Sequence, residues 1–84
     1  MVALDDIKRT VAEVLQLGSR IDGFDSDTTL LGNVQELDSL AVVNLMTSLE
    51  EQYDIYFDDD EVNADVFESL GSLHAFVTMK MSQS

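Results

Sequence analysis

The feature that most constrains the fold is the spacing of the apolar residues, which follows the helical period along most of the chain. In the first segment they recur every three or four positions, at Leu4, Ile7, Val11, Val14 and Leu15. This spacing places the side chains on one face of an α-helix. Asp5 and Asp6 stand in the first turn, where negative charge interacts favourably with the helix dipole. The pattern predicts a first helix over residues 4–17 that ends at Gly18.

A second helix is predicted from Ser39 to about Tyr53. Its main apolar stripe consists of Leu40, Val43, Met46 and Leu49, broadened by Val42 and Leu45. Asp38 precedes the helix, where its carboxylate can accept hydrogen bonds from the first free backbone N–H groups.

The remaining segments predict one short and one longer helix. The acidic residues 58–61 stand before a short third helix at about Val62–Val66. A last helix is expected at about Gly71–Lys80, followed by a frayed tail over residues 82–84. The alternation of Tyr53, Ile55 and Phe57 resembles a strand, but a lone strand has no pairing partner, so we interpret this segment as a connector.

The chain has 84 residues, which is enough for a single domain over residues 1–84 with one modest core. Residues 19–37 have no apolar period and form an unusually long loop, although the loop contains apolar residues that favour its attachment to the core. The predicted fold class is therefore all-α, a four-helix bundle with three longer helices, a short third helix and a long first loop.

The charge balance excludes several classes of function. With 17 acidic and 4 basic residues, the formal net charge is −13. Nucleic acids and anionic membrane surfaces both require clustered Lys and Arg, so neither is an expected partner. The absence of cysteine excludes disulfides, thiolate metal sites and a catalytic thiol on the chain itself. We expect a cytosolic monomer, without a membrane-spanning segment, that binds basic patches on other proteins.

The segment Glu36-Leu37-Asp38-Ser39-Leu40 resembles the phosphopantetheine attachment motif of acyl carrier proteins. By itself Asp-Ser-Leu is a weak motif. The resemblance is specific because it extends along nearly the whole chain, from the first helix through Thr29-Leu30-Leu31-Gly32 and the second helix to the last one. It implies an acyl-carrier-like bundle with Ser39 as the attachment residue of 4'-phosphopantetheine, flanked by Asp38 and Leu40.

The resemblance also implies how such a chain works. A phosphopantetheinyl transferase attaches the arm to Ser39, and the arm's thiol then carries an acyl or aminoacyl group as a thioester. The carrier catalyses nothing and delivers its cargo to acyl- or aminoacyl-loading and acyl-using enzymes. A serine at a helix start suits this role, because a phosphodiester there lies beside free N–H groups at the positive end of the dipole.

The partner-binding residues are expected on and beside the second helix. Leu40 and either Val43 or Met46 are the predicted apolar contacts. The predicted acidic contacts, which meet Lys and Arg of the enzymes, are Glu50, Glu51, Asp59 and Glu61.

Two features differ from the pattern of housekeeping fatty-acid carriers. Ala41 and Asn44 replace acidic residues, and the loop 32–37 is longer than usual. Together these differences favour a specialised, stand-alone carrier with its own partner enzymes.

Two other interpretations remain open from the sequence. One is an unmodified acidic interaction module with the same fold. The other is a calcium-binding loop, whose ligand positions match Asp25, Asp27, Thr29, Leu31, Asn33 and Glu36. Against calcium, Leu30 stands where the sharp turn requires glycine, and the first helix ends too early to flank the loop.

Overall fold

A computed structural model describes residues 2–30, 37–58 and 60–83. These residues form three α-helices, α1 (Leu4–Leu15), α2 (Ser39–Tyr53) and α3 (Leu70–Gln83), with a 3₁₀ helix at Gly18–Gly23 between α1 and α2. The described residues contain no β-strand, only an isolated bridge between Thr29 and Ser69. The predicted all-α four-helix class is confirmed, and so is the connector after Tyr53.

The predicted ends of the helices agree with the structure in α2 and differ from it in α1 and α3. The predicted bounds of α2 agree with the structure at both ends. In α1 the chain leaves the helix before Gly18, because Gln16 adopts the left-handed conformation at φ 57°. The α3 helix begins one residue earlier than predicted and includes Ser82 and Gln83, which were expected to fray.

The predicted short third helix at 62–66 is wrong. Residues 60–61 and 64–67 form turns instead, and the short helical element of the fold is the 3₁₀ helix in the first loop. The turns are closed by backbone hydrogen bonds between residues three positions apart; for example, the Val66 N–H donates to the Asn63 carbonyl over 3.1 Å. The Asn63 side chain also accepts the Asp65 N–H over 3.0 Å. This local bond offers the backbone an alternative to the hydrogen bonds of a helix, which explains why turns form where a helix was predicted.

The core lies where the three helices meet. Its fully buried side chains come from all three helices and from the first loop: Ile7, Val11, Leu30, Leu45, Leu49, Leu70, Leu73 and Val77. Burial of one such side chain stabilises the fold by about 1.5–3 kcal/mol relative to leaving it in water. The apolar period of α1 therefore identifies its core-facing side correctly, whereas in α2 the predicted stripe is buried at Met46 and Leu49 but exposed at Leu40 and Val43.

The first loop is attached to the start of α3, as its apolar residues predict. Three backbone N–H groups cross between the two segments: Leu30 donates to Glu68, Leu70 to Thr28, and Gly71 to Ser26, over 3.2, 3.0 and 2.8 Å. A reciprocal pair of bonds between Ser69 and Ser72 caps α3 at the same place. Residues 26–30 of the loop are thus held against the start of α3.

None of the described helices is both long and apolar enough to cross a lipid bilayer. The cytosolic location, the single-domain extent and the monomeric state stay predictions from the sequence.

Candidate functional site

The amino end of α2 presents Ser39 to solvent. Asp38 adopts an extended conformation (φ −105°, ψ −176°), and its carboxylate accepts the Ala41 N–H over 2.8 Å. Its carbonyl accepts the Val42 N–H over 2.9 Å. The predicted cap is therefore confirmed, and Ser39 is the first helical residue, with an exposed side chain. A side chain at this position projects away from the packed interior.

The first two amides of α2 have no hydrogen-bond partner among the described residues. These are the N–H groups of Ser39 and Leu40, next to the Ser39 hydroxyl. Free N–H groups at a helix start carry the positive end of the dipole, so an anion bonded to Ser39 is stabilised there. The arrangement fits a negatively charged group attached through the serine oxygen.

The exposed surface of α2 beside Ser39 is apolar. Leu40 is 69% exposed and Val43 is 59% exposed, whereas Met46 is only 7% exposed and packs at the edge of the core. Of the two alternatives for an outward apolar contact, the structure thus turns Val43 outward and Met46 inward. Large apolar side chains exposed next to each other are typical of a surface that meets another molecule.

The side chains predicted as acidic contacts differ in their exposure and in the bonds they form within the protein. Glu51 is exposed, but Glu50 is half-buried and accepts the Phe57 N–H over 2.9 Å. Glu61 forms an ion pair with Lys80, whose Nζ lies 2.8 and 2.9 Å from the two carboxylate oxygens. Asp59 lies outside the described residues. Of the three carboxylates that the structure describes, Glu50 and Glu61 are therefore engaged within the protein itself.

Two side chains have shifted pKa values for reasons that the contacts explain. The hydrogen bond from Lys80 is the largest influence on Glu61 and holds its pKa below the usual 4.5. Burial, followed by the nearby Asp6 carboxylate, raises the pKa of Tyr53 above its usual 10.0.

His74 lies on α3, half-buried, with Nε2 2.7 Å from the Val2 carbonyl oxygen. Its contact links the start of the chain to α3, as expected for a structural residue.

A groove of about 310 Å³ lies along α2. We call it the α2 groove; its lining residues are Val42, Val43, Met46, Thr47, Glu50, Phe57 and Val62. The predicted residues Val43, Met46 and Glu50 are thereby brought together. Sequence reasoning did not assign a role to Phe57, Val62 or Lys80 in this region. The available signal was that Lys80 is the only Lys or Arg after residue 20.

The residues of the calcium-loop template are only partly described, because residues 31–36 lie outside the described ranges. The Asp25 carboxylate accepts the Asp27 N–H over 2.9 Å and the Thr28 hydroxyl over 3.2 Å. These bonds form a local turn. Within the described ranges, no three His, Cys, Asp or Glu side chains are grouped so that they could hold a metal ion.

Comparison with known proteins identifies the family. A family model described as "Phosphopantetheine attachment site" matches residues 5–79. The solution NMR structure of a holo acyl carrier protein from Nitrosomonas europaea is 48% identical in sequence, with a TM-score of 0.89. This match covers 98% of the present chain and 99% of that one. No curated protein matches the chain. Exposed Ser39 at a capped helix start, the helical bundle and both matches agree, and the chain belongs to the phosphopantetheine-binding family of acyl carrier proteins.

Proposed function

We propose that Ser39 is the residue that carries the family's covalent cofactor, 4'-phosphopantetheine, and that the chain delivers acyl or aminoacyl groups to biosynthetic enzymes. The observation that supports this most directly is the exposed Ser39 at the start of α2, beside two backbone N–H groups that have no hydrogen-bond partner within the described ranges. When bound, the group supplies a thiol that holds a carboxylic acid as a thioester. This chain, which contains no cysteine, has no thiol of its own.

The chain's own residues accept and orient the group. A transferase joins the Ser39 oxygen to the phosphorus of the pantetheine phosphate of coenzyme A. The pyrophosphate bond breaks, adenosine 3',5'-bisphosphate leaves, and the hydroxyl proton passes to a base of the transferase. The Ser39 and Leu40 N–H groups then stabilise the phosphodiester charge. Asp38 keeps the helix start in place, because its carboxylate accepts a hydrogen bond from the Ala41 N–H. The chain itself takes no catalytic part.

Incubation with coenzyme A and a promiscuous phosphopantetheinyl transferase, followed by mass spectrometry, tests the attachment. We expect one added phosphopantetheinyl group on the unchanged protein and none on Ser39→Ala. Ser19→Ala is the matched control, because Ser19 is also exposed but lies in the 3₁₀ helix. If nothing is added under conditions that modify a known carrier, the proposal is wrong. If the Ser39→Ala variant is as active in the cell as the wild-type protein, the chain acts as an unmodified interaction module instead.

The partner surface in this proposal begins with Leu40 and Val43 and continues to Glu51. The transferase and the acyl-handling enzymes would contact the exposed apolar side chains and bring Lys or Arg to the carboxylates. Truncation of an apolar anchor costs more than about 1 kcal/mol, or about fivefold in kcat/KM. We expect Leu40→Ala to lower transferase kcat/KM by at least about that factor. Met79→Ala, on an exposed residue of α3, should leave kcat/KM unchanged. Equal kinetics for both variants would argue against the surface.

The proposal includes a specialised rather than a housekeeping fatty-acid role. Its support is the uncharged start of α2, where Ala41 and Asn44 accompany the exposed Leu40 and Val43. Enzymes that rely on acidic contacts in these two turns would find none. Mass analysis of the arm on protein purified from its own host tests this point. A set of ordinary fatty-acyl intermediates on the arm would contradict it.

A further inference from the structure

The α2 groove has two walls of different origin. One wall is α2 itself, which contributes Val42, Val43, Met46, Thr47 and Glu50. The opposite wall consists of Phe57 and Val62, which stand at the two ends of the segment 57–62 within the connector between α2 and α3. The width of the groove therefore depends on how the connector is held against the helices.

The Phe57 end of the connector is held firmly. Its N–H donates to the Glu50 carboxylate of α2, and its ring stacks on Phe76 of α3 with centroids 5.2 Å apart. The side chain is 5% exposed. Movement of this end would break a hydrogen bond and remove an aromatic pair from the core. The wall can thus change its position mainly at the Val62 end.

The Val62 end is tied to α3 through the neighbouring residue. Both oxygens of Glu61 lie within 2.9 Å of the Lys80 Nζ. Only 12% of the Lys80 side chain and 28% of the Glu61 side chain are exposed, so the pair is partly shielded from water. Glu61 also closes a turn on Asp58, through a backbone bond of 2.9 Å. Val62 itself is half-buried and has no such bond of its own in the described structure.

We propose that the Glu61–Lys80 ion pair is a latch that sets the width of the α2 groove and thereby limits the length of the acyl chain that the groove accepts. The inference rests on the proposed function, because the occupant is the apolar part of the acyl cargo. Five of the seven residues that line the groove are apolar and match a hydrocarbon chain: Val42, Val43, Met46, Phe57 and Val62. Glu61 and Lys80 are positioning residues here, since they act through Val62 and not on the cargo.

The test measures acyl-dependent stabilisation in full-length protein. Wild type is loaded by the transferase from acyl-coenzyme A with chains of two to twelve carbons, and Tm is measured for each form. Apolar contact inside a groove raises Tm until the chain outgrows the groove. In Glu61→Gln and Lys80→Met we expect the chain length of maximal Tm to increase by at least two carbons. The double exchange Glu61→Lys with Lys80→Glu should restore the wild-type profile.

Two controls separate a latch from a general contribution to stability. Asp6→Asn breaks the exposed Arg9–Asp6 pair, whose atoms are 3.9 Å apart, and should not change the chain-length profile. The NMR shift of the Val62 amide should depend on chain length in wild type and extend to longer chains in Glu61→Gln. Glu61→Gln keeps the size of the side chain and removes its charge and one of the two oxygens that accept from Lys80, so this variant is expected to stay folded if Lys80→Met does not.

Each outcome has one meaning. A uniform drop in Tm with an unchanged chain-length profile would overturn the latch and leave a merely structural pair. Loss of acyl-dependent stabilisation at every length would also overturn it, because the pair would then build the groove and not set its width. Failure to load wild type with any acyl group would contradict the proposed function instead.

Discussion

The backbones of Gly71 and Ser26 touch where the first loop crosses the start of α3. The Gly71 N–H donates to the Ser26 carbonyl oxygen over 2.8 Å, and a Cβ on residue 71 would lie 2.7 Å from that same oxygen. Glycine is therefore required here by close approach of two segments that are far apart in the sequence. Neighbouring bonds from Leu70 and Leu30 join the same two segments. The contact holds residues 26–30 of the first loop against the start of α3.

We predict that Gly71→Ala lowers the free energy of unfolding by about 1–3 kcal/mol, the usual cost of overpacking. The clash outweighs the helix propensity of alanine, because the contacting atom belongs to a hydrogen-bonded backbone. Urea unfolding measures the effect. Gly23→Ala is the matched control, since no atom lies within 4 Å of its added Cβ. That variant should stay within about 0.5 kcal/mol of wild type. Equal stability of both variants would refute the close approach.

Removal of the α2 cap should have two effects. Asp38→Ala leaves the Ala41 N–H without its acceptor and should cost about 1 kcal/mol of unfolding free energy. Because the same carboxylate orders the helix start, the transferase should also modify Ser39 more slowly. Glu51→Ala, which removes an exposed carboxylate from the same helix, is the control for stability. Normal modification together with unchanged stability in Asp38→Ala would count against the capping argument.

The Glu61–Lys80 pair predicts a pH-dependent contribution to stability. The pKa of Glu61 lies below its usual 4.5, chiefly because Lys80 donates to its carboxylate. A lowered pKa in the folded state means that the contribution is complete above the unfolded pKa and is lost as the pH falls through the folded pKa. The stability difference between wild type and Glu61→Gln should thus be constant from pH 7 down to about 4.5 and shrink below that value. Chemical unfolding at low protein concentration measures it, and a difference that grows on acidification would contradict it.

Added salt should raise the melting temperature. The chain carries 17 acidic and 4 basic residues, so like charges repel in the folded state. At 0.1 M ionic strength the screening length falls to about 10 Å, which weakens this repulsion. Screening also weakens the Glu61–Lys80 pair, but a single partly buried pair is a small term beside the net charge of −13. Sodium and choline chlorides should act alike at equal ionic strength, whereas a salt-independent Tm would refute the prediction.

The start and end of α2 were predictable because their signals are local. The Asp38 cap acts within one turn, and the apolar residues from Leu40 to Leu49 recur at helical spacing without reference to any other segment. The motif at Ser39 was identified by its resemblance to acyl carrier proteins, which extends along nearly the whole chain. The role of Ser39 as the attachment residue stays a proposal that the transferase experiment tests.

Other features were decided by packing between segments distant in the sequence. Nothing local determines that Val43 faces outward and Met46 inward, because both stand on one broad apolar stripe and packing against α1 selects the side that is buried. The wrong short helix at 62–66 has a local cause, the Asn63 side chain that accepts the Asp65 N–H, and packing adds to it. Buried Val66 and Phe67 belong to a chain of turns whose course depends on the core beneath them.

The sequence by itself thus determined the all-α class, α2 with its cap, the serine at the helix start and the acidic surface. Periodicity, capping and charge are each properties of a few neighbouring residues. Only the tertiary structure decided that Glu61 pairs with Lys80, 19 positions away, and that Gly71 touches Ser26. Such contacts depend on how packed helices and loops bring distant backbone and charged groups together, which no local pattern specifies.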